Sequence, residues 1–157
     1  MVSVAINDLE SYKGVIIGHS PWTTISQDMI NAFADATGDH QWIHVDVERA
    51  KRESPWKSPV AHGYLTASLI PMLNSQVLKV TGTAATINYG LDKLRFPSAV
   101  KAGAEIRSKM ELKDLTRVDD RRVLATYRTT IEIRGEDKPA CVADNLAMYV
   151  LEPQKQQ

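Results

Sequence analysis

Cysteine is almost missing from this 157-residue chain. Its one thiol, Cys141, excludes a disulfide within the chain and fits a reducing compartment such as the cytoplasm. Surplus charge is missing as well. Nineteen basic side chains balance 19 acidic ones and no basic run exceeds a pair, which excludes the electrostatic footprint of a nucleic-acid binder. Long apolar runs are lacking, each being broken well before the roughly 20 residues a membrane helix needs, so no span is expected. The opening Met-Val-Ser-Val-Ala-Ile-Asn-Asp-Leu-Glu has neither the basic nor the apolar region of a secretory signal, and it reads as mature protein. No repeat, low-complexity tract or linker divides the chain. Its length suits one domain over residues 1–152, with 153–157 as a flexible tail.

What is present changes period partway along. After a short strand near residues 15–18, Ser26 caps a helix whose Met29, Ile30, Phe33 and Ala36 share a face and which stops at Gly38. Residues 46–53 form a short charged helix, followed by the loop Ser54-Pro-Trp-Lys-Ser-Pro, whose prolines disfavour helix before them. From Gly63 to about Val80, apolar residues recur at helical spacing, with Pro71 expected to bend the helix. Four consecutive antiparallel strands are expected at 84–96, 104–115, 122–133 and 140–151, rich in β-branched and aromatic residues and divided by turns. Helices first and strands afterwards argues α+β, with a helix needed to cover one face of the sheet.

The chemistry concentrates just after the first helix. Asp39 and His44 stand five residues apart in Gly38-Asp-His-Gln-Trp-Ile-His44, and a carboxylate beside an imidazole suits general acid/base work on a water held between them. Alone, Asp39 reads as a turn residue and His44 as a structural imidazole; together they read as a hydration site. His40 and His44 have helical metal-ligand spacing, but Gly38 and the loop disfavour that geometry, and no metal is expected. At the start of the third expected helix, His62-Gly63 offers unpaired N–H groups and a dipole suited to an oxygen that gains negative charge.

The same residues carry a resemblance. Phe33, Thr37-Gly38-Asp39, Ile43-His44 and Ala50 resemble the hydratase motif of the MaoC-like dehydratases, the (R)-specific enoyl-CoA hydratases. Gln41-Trp42 replaces the Asn-Pro usual there, which looks closer to the NodN-like branch. Pro59-Val-Ala-His-Gly-Tyr-Leu-Thr-Ala-Ser-Leu-Ile resembles the start of the central helix of hot-dog folds. The resemblance implies an antiparallel sheet wrapped around a long central helix, and reversible hydration of trans-2-enoyl-CoA to (R)-3-hydroxyacyl-CoA. It implies Asp39 and His44 as the catalytic pair and the Gly63 backbone N–H as the oxyanion donor. Gln41, Trp42, Trp56 and His62 are candidate substrate-lining residues. No cofactor is implied, coenzyme A entering as part of the substrate, although acyl carrier protein is also a possible carrier. A homodimer is expected, because a single hot-dog leaves a sheet edge and a groove uncovered. Two rivals stand beside it: a hot-dog acyl-CoA thioesterase, and a non-catalytic acyl-thioester-binding subunit with the pocket closed by the Trp42 loop.

Overall fold

A computed structural model describes residues 1–153; the remainder of the expected tail lies outside the described residues. Strand β1 (Val2–Ala5) leads through a 3-10 segment (Ile6–Tyr12) to β2 (Ile16–His19) and β3 (Thr23–Thr24). Five helices follow: α1 (Gln27–Thr37), α2 (Trp42–Val45), α3 (Val47–Glu53), α4 (Gly63–Ser68) and α5 (Ile70–Ser75). The chain ends in β4 (Leu78–Thr81), β5 (Thr83–Arg95), β6 (Glu105–Arg117), β7 (Arg122–Ile133) and β8 (Cys141–Leu151).

Alternation builds the main sheet. Along β7 the side chains of Val123, Ala125, Tyr127, Thr129, Ile131 and Ile133 are buried while those between them are partly exposed. On the outer face, cross-strand partners carry opposite charge: Arg128 and Asp144 form two hydrogen bonds of 2.6 and 2.9 Å, and Arg107 donates to Glu132 at 2.7 Å. Such pairs are worth roughly 0.2–1 kcal/mol each and help set the register. The main antiparallel sheet has the order β2-β6-β7-β8-β5, with β3 also on β6. Helices α4 and α5 lie on its inner face, where Leu65, Ile70 and Leu73 pack against Ile106, Ile131 and Cys141. This is an α+β hot-dog fold, as expected.

The expected central helix needs correction. The helix expected over 63–80 is shorter and divided, because Pro71 stands in the first turn of α5 and supplies no N–H. The helical path nonetheless carries across the break, Leu69 donating to Leu65 O at 3.1 Å and Leu73 to Leu69 O at 3.0 Å. Residues 78–81 leave the helix for β4, which pairs in parallel with β1 in a second, two-stranded sheet. The four long strands follow one another along the chain and pair antiparallel, as expected, with β5 crossing over to pair with β8 and form the sheet edge. No helix among the described residues is long and apolar enough to cross a membrane.

The core is in two parts. One apolar cluster holds Ile106, Ile131 and Ala143, the other Met110, Tyr127 and Ala147. The inward position between each pair is polar: Ser108, Thr129 and Asn145.

Candidate active site

Local capping places the loop that carries Asp39. Ser26 accepts a hydrogen bond from the Met29 N–H at 3.1 Å, and Gly38 closes α1 at φ +80°, a left-handed conformation that favours glycine. The chain therefore turns sharply at Gly38 and projects Asp39 beyond the helix, with its side chain 55% exposed. Asp39 Oδ1 accepts from the Gln41 N–H at 3.3 Å. The next turn, α2, carries His44, and Gln27 of α1 holds it by donating to the His44 carbonyl at 2.7 Å. His44 thus sits on a one-turn helix that the spacing did not indicate.

The His44 ring is buried and its tautomer is determined. Nδ1 lies 2.6 Å from the Val60 carbonyl oxygen, which can only accept, so Nδ1 carries the proton and Nε2 keeps its lone pair. Val60 is itself held between neighbours, its N–H donating to Ile43 O at 3.0 Å while Ala61 donates to Val100 O at 2.7 Å. Burial pulls the imidazole below its ordinary value and the nearby His62 adds to the effect, against an opposing pull from the Val60 carbonyl. His44 is a neutral base at neutral pH.

His62, only 3% exposed, does more than mark a helix entry. Its ring stacks on His44 with centroids 3.8 Å apart and planes 25° apart, and Phe33 flanks it at 5.0 Å. Nε2 donates to the Asp39 carbonyl at 2.9 Å, which leaves Nδ1 a buried acceptor with no partner among the described residues. One side chain therefore touches both members of the expected pair. Polar atoms of Asp39, His44 and His62 converge within 4.8 Å of one another.

Two variants separate what His62 does. His62→Gln keeps a donor for the Asp39 carbonyl and loses the stack; His62→Phe keeps a stacked ring and loses the donor. Because His62 holds the His44 value down, removing it should move the acid limb of the pH–rate profile to higher pH. Asp39 and His62 are the titratable groups that influence His44. A profile unmoved in both variants would reduce His62 to packing.

Gly63 begins α4, and the space where its side chain would stand is filled by Phe96. A Cβ there would lie 2.7, 2.9 and 3.0 Å from three ring carbons of Phe96. The close approach that glycine permits is made by Phe96, not by an open ligand path. A cavity of about 370 Å³ reaches this point, lined by Ile43, His44, Trp56, Gly63 and Phe96 among others. Trp56 is thus beside His44, whereas Trp42 lies under the Arg49 guanidinium at 4.3 Å and Gln41 is exposed. Trp22 stands on the sheet between Arg107 and Arg134, away from His44. The Val60 carbonyl, Gln27 and Phe96 were not legible as parts of the site, because each acts through tertiary position rather than through a motif.

Comparison with known proteins gives the family and the fold. Residues 11–133 match the family model described as the MaoC like domain. The chain is 45% identical over 146 residues to 3-hydroxyacyl-thioester dehydratase Z of Mycobacterium tuberculosis, covering 93% of this chain and 96% of that protein. It is 40% identical over 154 residues to Nodulation protein N of Rhizobium meliloti, covering 98% and 96%. Among solved structures, the unliganded R-hydratase PhaJ1 of Pseudomonas aeruginosa superposes with a TM-score of 0.66 at 26% identity, over 85% of this chain and 79% of that one.

Proposed function

From the premise that this chain belongs to the MaoC-like domain family, we infer that it is a hydro-lyase, a hydratase/dehydratase of acyl thioesters. In our reading it interconverts a trans-2-enoyl thioester and the (R)-3-hydroxyacyl thioester by addition or removal of water. The observation that carries the mechanism is the 2.6 Å bond from His44 Nδ1–H to the Val60 carbonyl, which reserves Nε2 as a base. Asp39 and His44 Nε2 hold one water. Nε2 takes its proton as the oxygen attacks the β-carbon, and a proton returns to the α-carbon. The Gly63 N–H, at the positive end of α4, steadies the enolate-like oxygen.

Metal chemistry suits the site poorly. Two imidazoles stacked face to face direct their in-plane lone pairs side by side rather than at one ion about 2.0–2.1 Å from both. Our reading uses no cofactor. Coenzyme A enters as the carrier half of the substrate, acyl carrier protein is the other candidate carrier, and the cytoplasm is the proposed setting. The test is hydration of crotonyl-CoA and of a longer enoyl-CoA by the purified protein, followed as loss of enoyl absorbance with the product identified. A 3-hydroxyacyl thioester supports the hydro-lyase; a free thiol makes the protein a thioesterase; tight binding without turnover makes it a binding subunit.

The homodimer belongs to this reading too. Strand β5 is exposed along nearly its whole length and carries the exposed Ile87, Tyr89 and Leu91. An apolar edge of this length invites a second strand, and an antiparallel β5–β5 contact closes it by two-fold symmetry. Wild type should sediment at twice the 17.5 kDa of one chain. Ile87→Lys with Tyr89→Lys should sediment as a monomer; a wild type that is monomeric at assay concentration removes the dimer from the reading.

A further inference from the structure

The inner face of the sheet beside α4 and α5 is not fully covered. Two adjoining hollows, of about 480 and 310 Å³, share Pro71, Asn88 and Asn145. The first begins at Tyr64, the residue after Gly63, and the second ends on Tyr127 and Tyr149. Together they form a groove leading away from the start of α4. Its length from Gly63 to Asn74 is about 16 Å, at roughly 1.5 Å per helical residue.

An apolar acyl chain needs only apolar walls, yet the middle of this groove is polar by construction. Ser20 Oγ accepts from the Ser108 N–H at 2.9 Å, Ser108 Oγ donates to Asn74 Oδ1, Asn74 Nδ2 donates to Thr129 Oγ1 at 3.0 Å, and Thr129 Oγ1 donates to Asn145 Oδ1. Asn74 Nδ2 also reaches Asn145 Oδ1 at 3.4 Å. Both donors point at one oxygen of Asn145, and its NH2 is turned away from them. The Asn145 NH2 is left with no protein acceptor among the described residues, at the wall both hollows share. Deeper in, the Tyr127 and Tyr149 hydroxyls pair at 2.8 Å. Two phenols carry two hydrogens and this bond uses one, so one O–H remains to be accepted from the groove side. A buried polar row costs stability unless its groups are satisfied. Here the hydrogens that no bond within the row uses belong to donors on the groove wall.

We propose that this groove is a donor-lined subsite for an acceptor oxygen carried by the bound thioester, a carbonyl, hydroxyl or ether held by the Asn145 amide and the tyrosine pair. The subsite rests on the hydratase reading. The oxygen has two possible sources, the distal part of the acyl chain or an amide carbonyl of the carrier's pantetheine arm. Asn145 selects among substrates and takes no part in the proton transfers.

The test compares two substrate pairs. The first pair is a medium-chain enoyl-CoA and its analogue of equal length with a keto group toward the distal end. The second is one short enoyl group carried on pantetheine and on an alkanethiol of equal length that lacks both amides. Asn145→Asp keeps an acceptor for Thr129 and Asn74 but replaces the groove-facing donor with an oxygen. Tyr127→Phe combined with Tyr149→Phe keeps both rings and removes both hydroxyls. Wild type should prefer the oxygenated member of one pair by roughly tenfold in kcat/KM, the worth of one satisfied hydrogen bond. Both variants should flatten that ratio. Flattening in the first pair places the oxygen on the acyl chain; flattening in the second places it on the carrier arm. Equal ratios for wild type and variants in both pairs overturn the subsite and leave the hydratase standing. A wild type that hydrates no member of either pair overturns the hydratase reading and the subsite with it.

Discussion

Asp39→Asn and His44→Ala should each lower kcat for enoyl-CoA hydration by about 10²–10⁴-fold, the range a positioned general acid or base contributes. Their folded states should survive for different reasons. Asp39 is exposed and accepts only a weak 3.3 Å bond from the Gln41 N–H, so an amide there costs little. His44→Ala removes a buried ring and its bond to Val60, and some loss of thermal stability should accompany the loss of rate. The double variant should be no slower than the worse single one by more than a small factor, because two groups that share one water act as a unit. The pH profile follows from burial. The His44 value lies below its ordinary 6.5, so the acid limb of kcat/KM should fall below pH 6.5. The same shift acts on stability. The unfolded chain binds a proton to His44 more readily than the folded one, so this group's stabilising contribution is intact above the ordinary value. It is lost as pH falls through the lower folded value. An acid limb above 6.5 would mean that another group limits the reaction.

The parts of this site that the sequence disclosed are those that local chemistry specifies. Ser26 and Gly38 bracket α1 by capping and by a left-handed turn, and that bracket puts Asp39 at the head of a loop whatever else the chain does. His44 follows from spacing, and the start of α4 at Gly63 from the change to helical periodicity. The partners were hidden because each arrives from a distant segment. The Val60 carbonyl faces His44 only because Val60 and Ala61 are pinned by Ile43 and Val100, and no side-chain pattern announces a carbonyl. Phe96, one of two phenylalanines, reads as the end of a strand until the fold lays it on Gly63. The polar row left a fainter signal. Ser108, Thr129 and Asn145 each interrupt an inward-facing apolar alternation, but their meeting depends on the pairing of β6 with β7 and of β7 with β8, and on Asn74 of α5 reaching the sheet. The break in the helix was half legible: Pro71 was expected to bend it, but the exit to β4 is decided by pairing with β1 at the other end of the chain.

Gly63→Ala should cost about 10²–10³ in kcat, the range for loss of one oxyanion donor, although the substitution removes no donor. The added methyl would stand 2.7–3.0 Å from Phe96 Cδ2, Cε2 and Cγ, closer than Cβ contacts normally allow. Either the ring moves or the first turn of α4 does. Phe96 is 39% exposed and packs edge-on against Tyr64 at 5.8 Å, so it has room to swing. The first turn of α4 is less free, because His62 is stacked on His44 and bonded to Asp39, and Leu65 is buried in the core. A shift of that turn by a fraction of an ångström would misplace the N–H relative to the oxygen and disturb the His62–His44 stack together. Phe96→Ala should then act as a suppressor: alone it enlarges the cavity beside His44, and combined with Gly63→Ala it removes the collision. Recovery of at least tenfold in the double variant over Gly63→Ala would show that glycine is required at 63 to seat Phe96 while keeping the amide in place. An unrecovered double variant with native melting behaviour would mean that the alanine obstructs the thioester itself, placing the substrate on the side of Gly63 that Phe96 now covers.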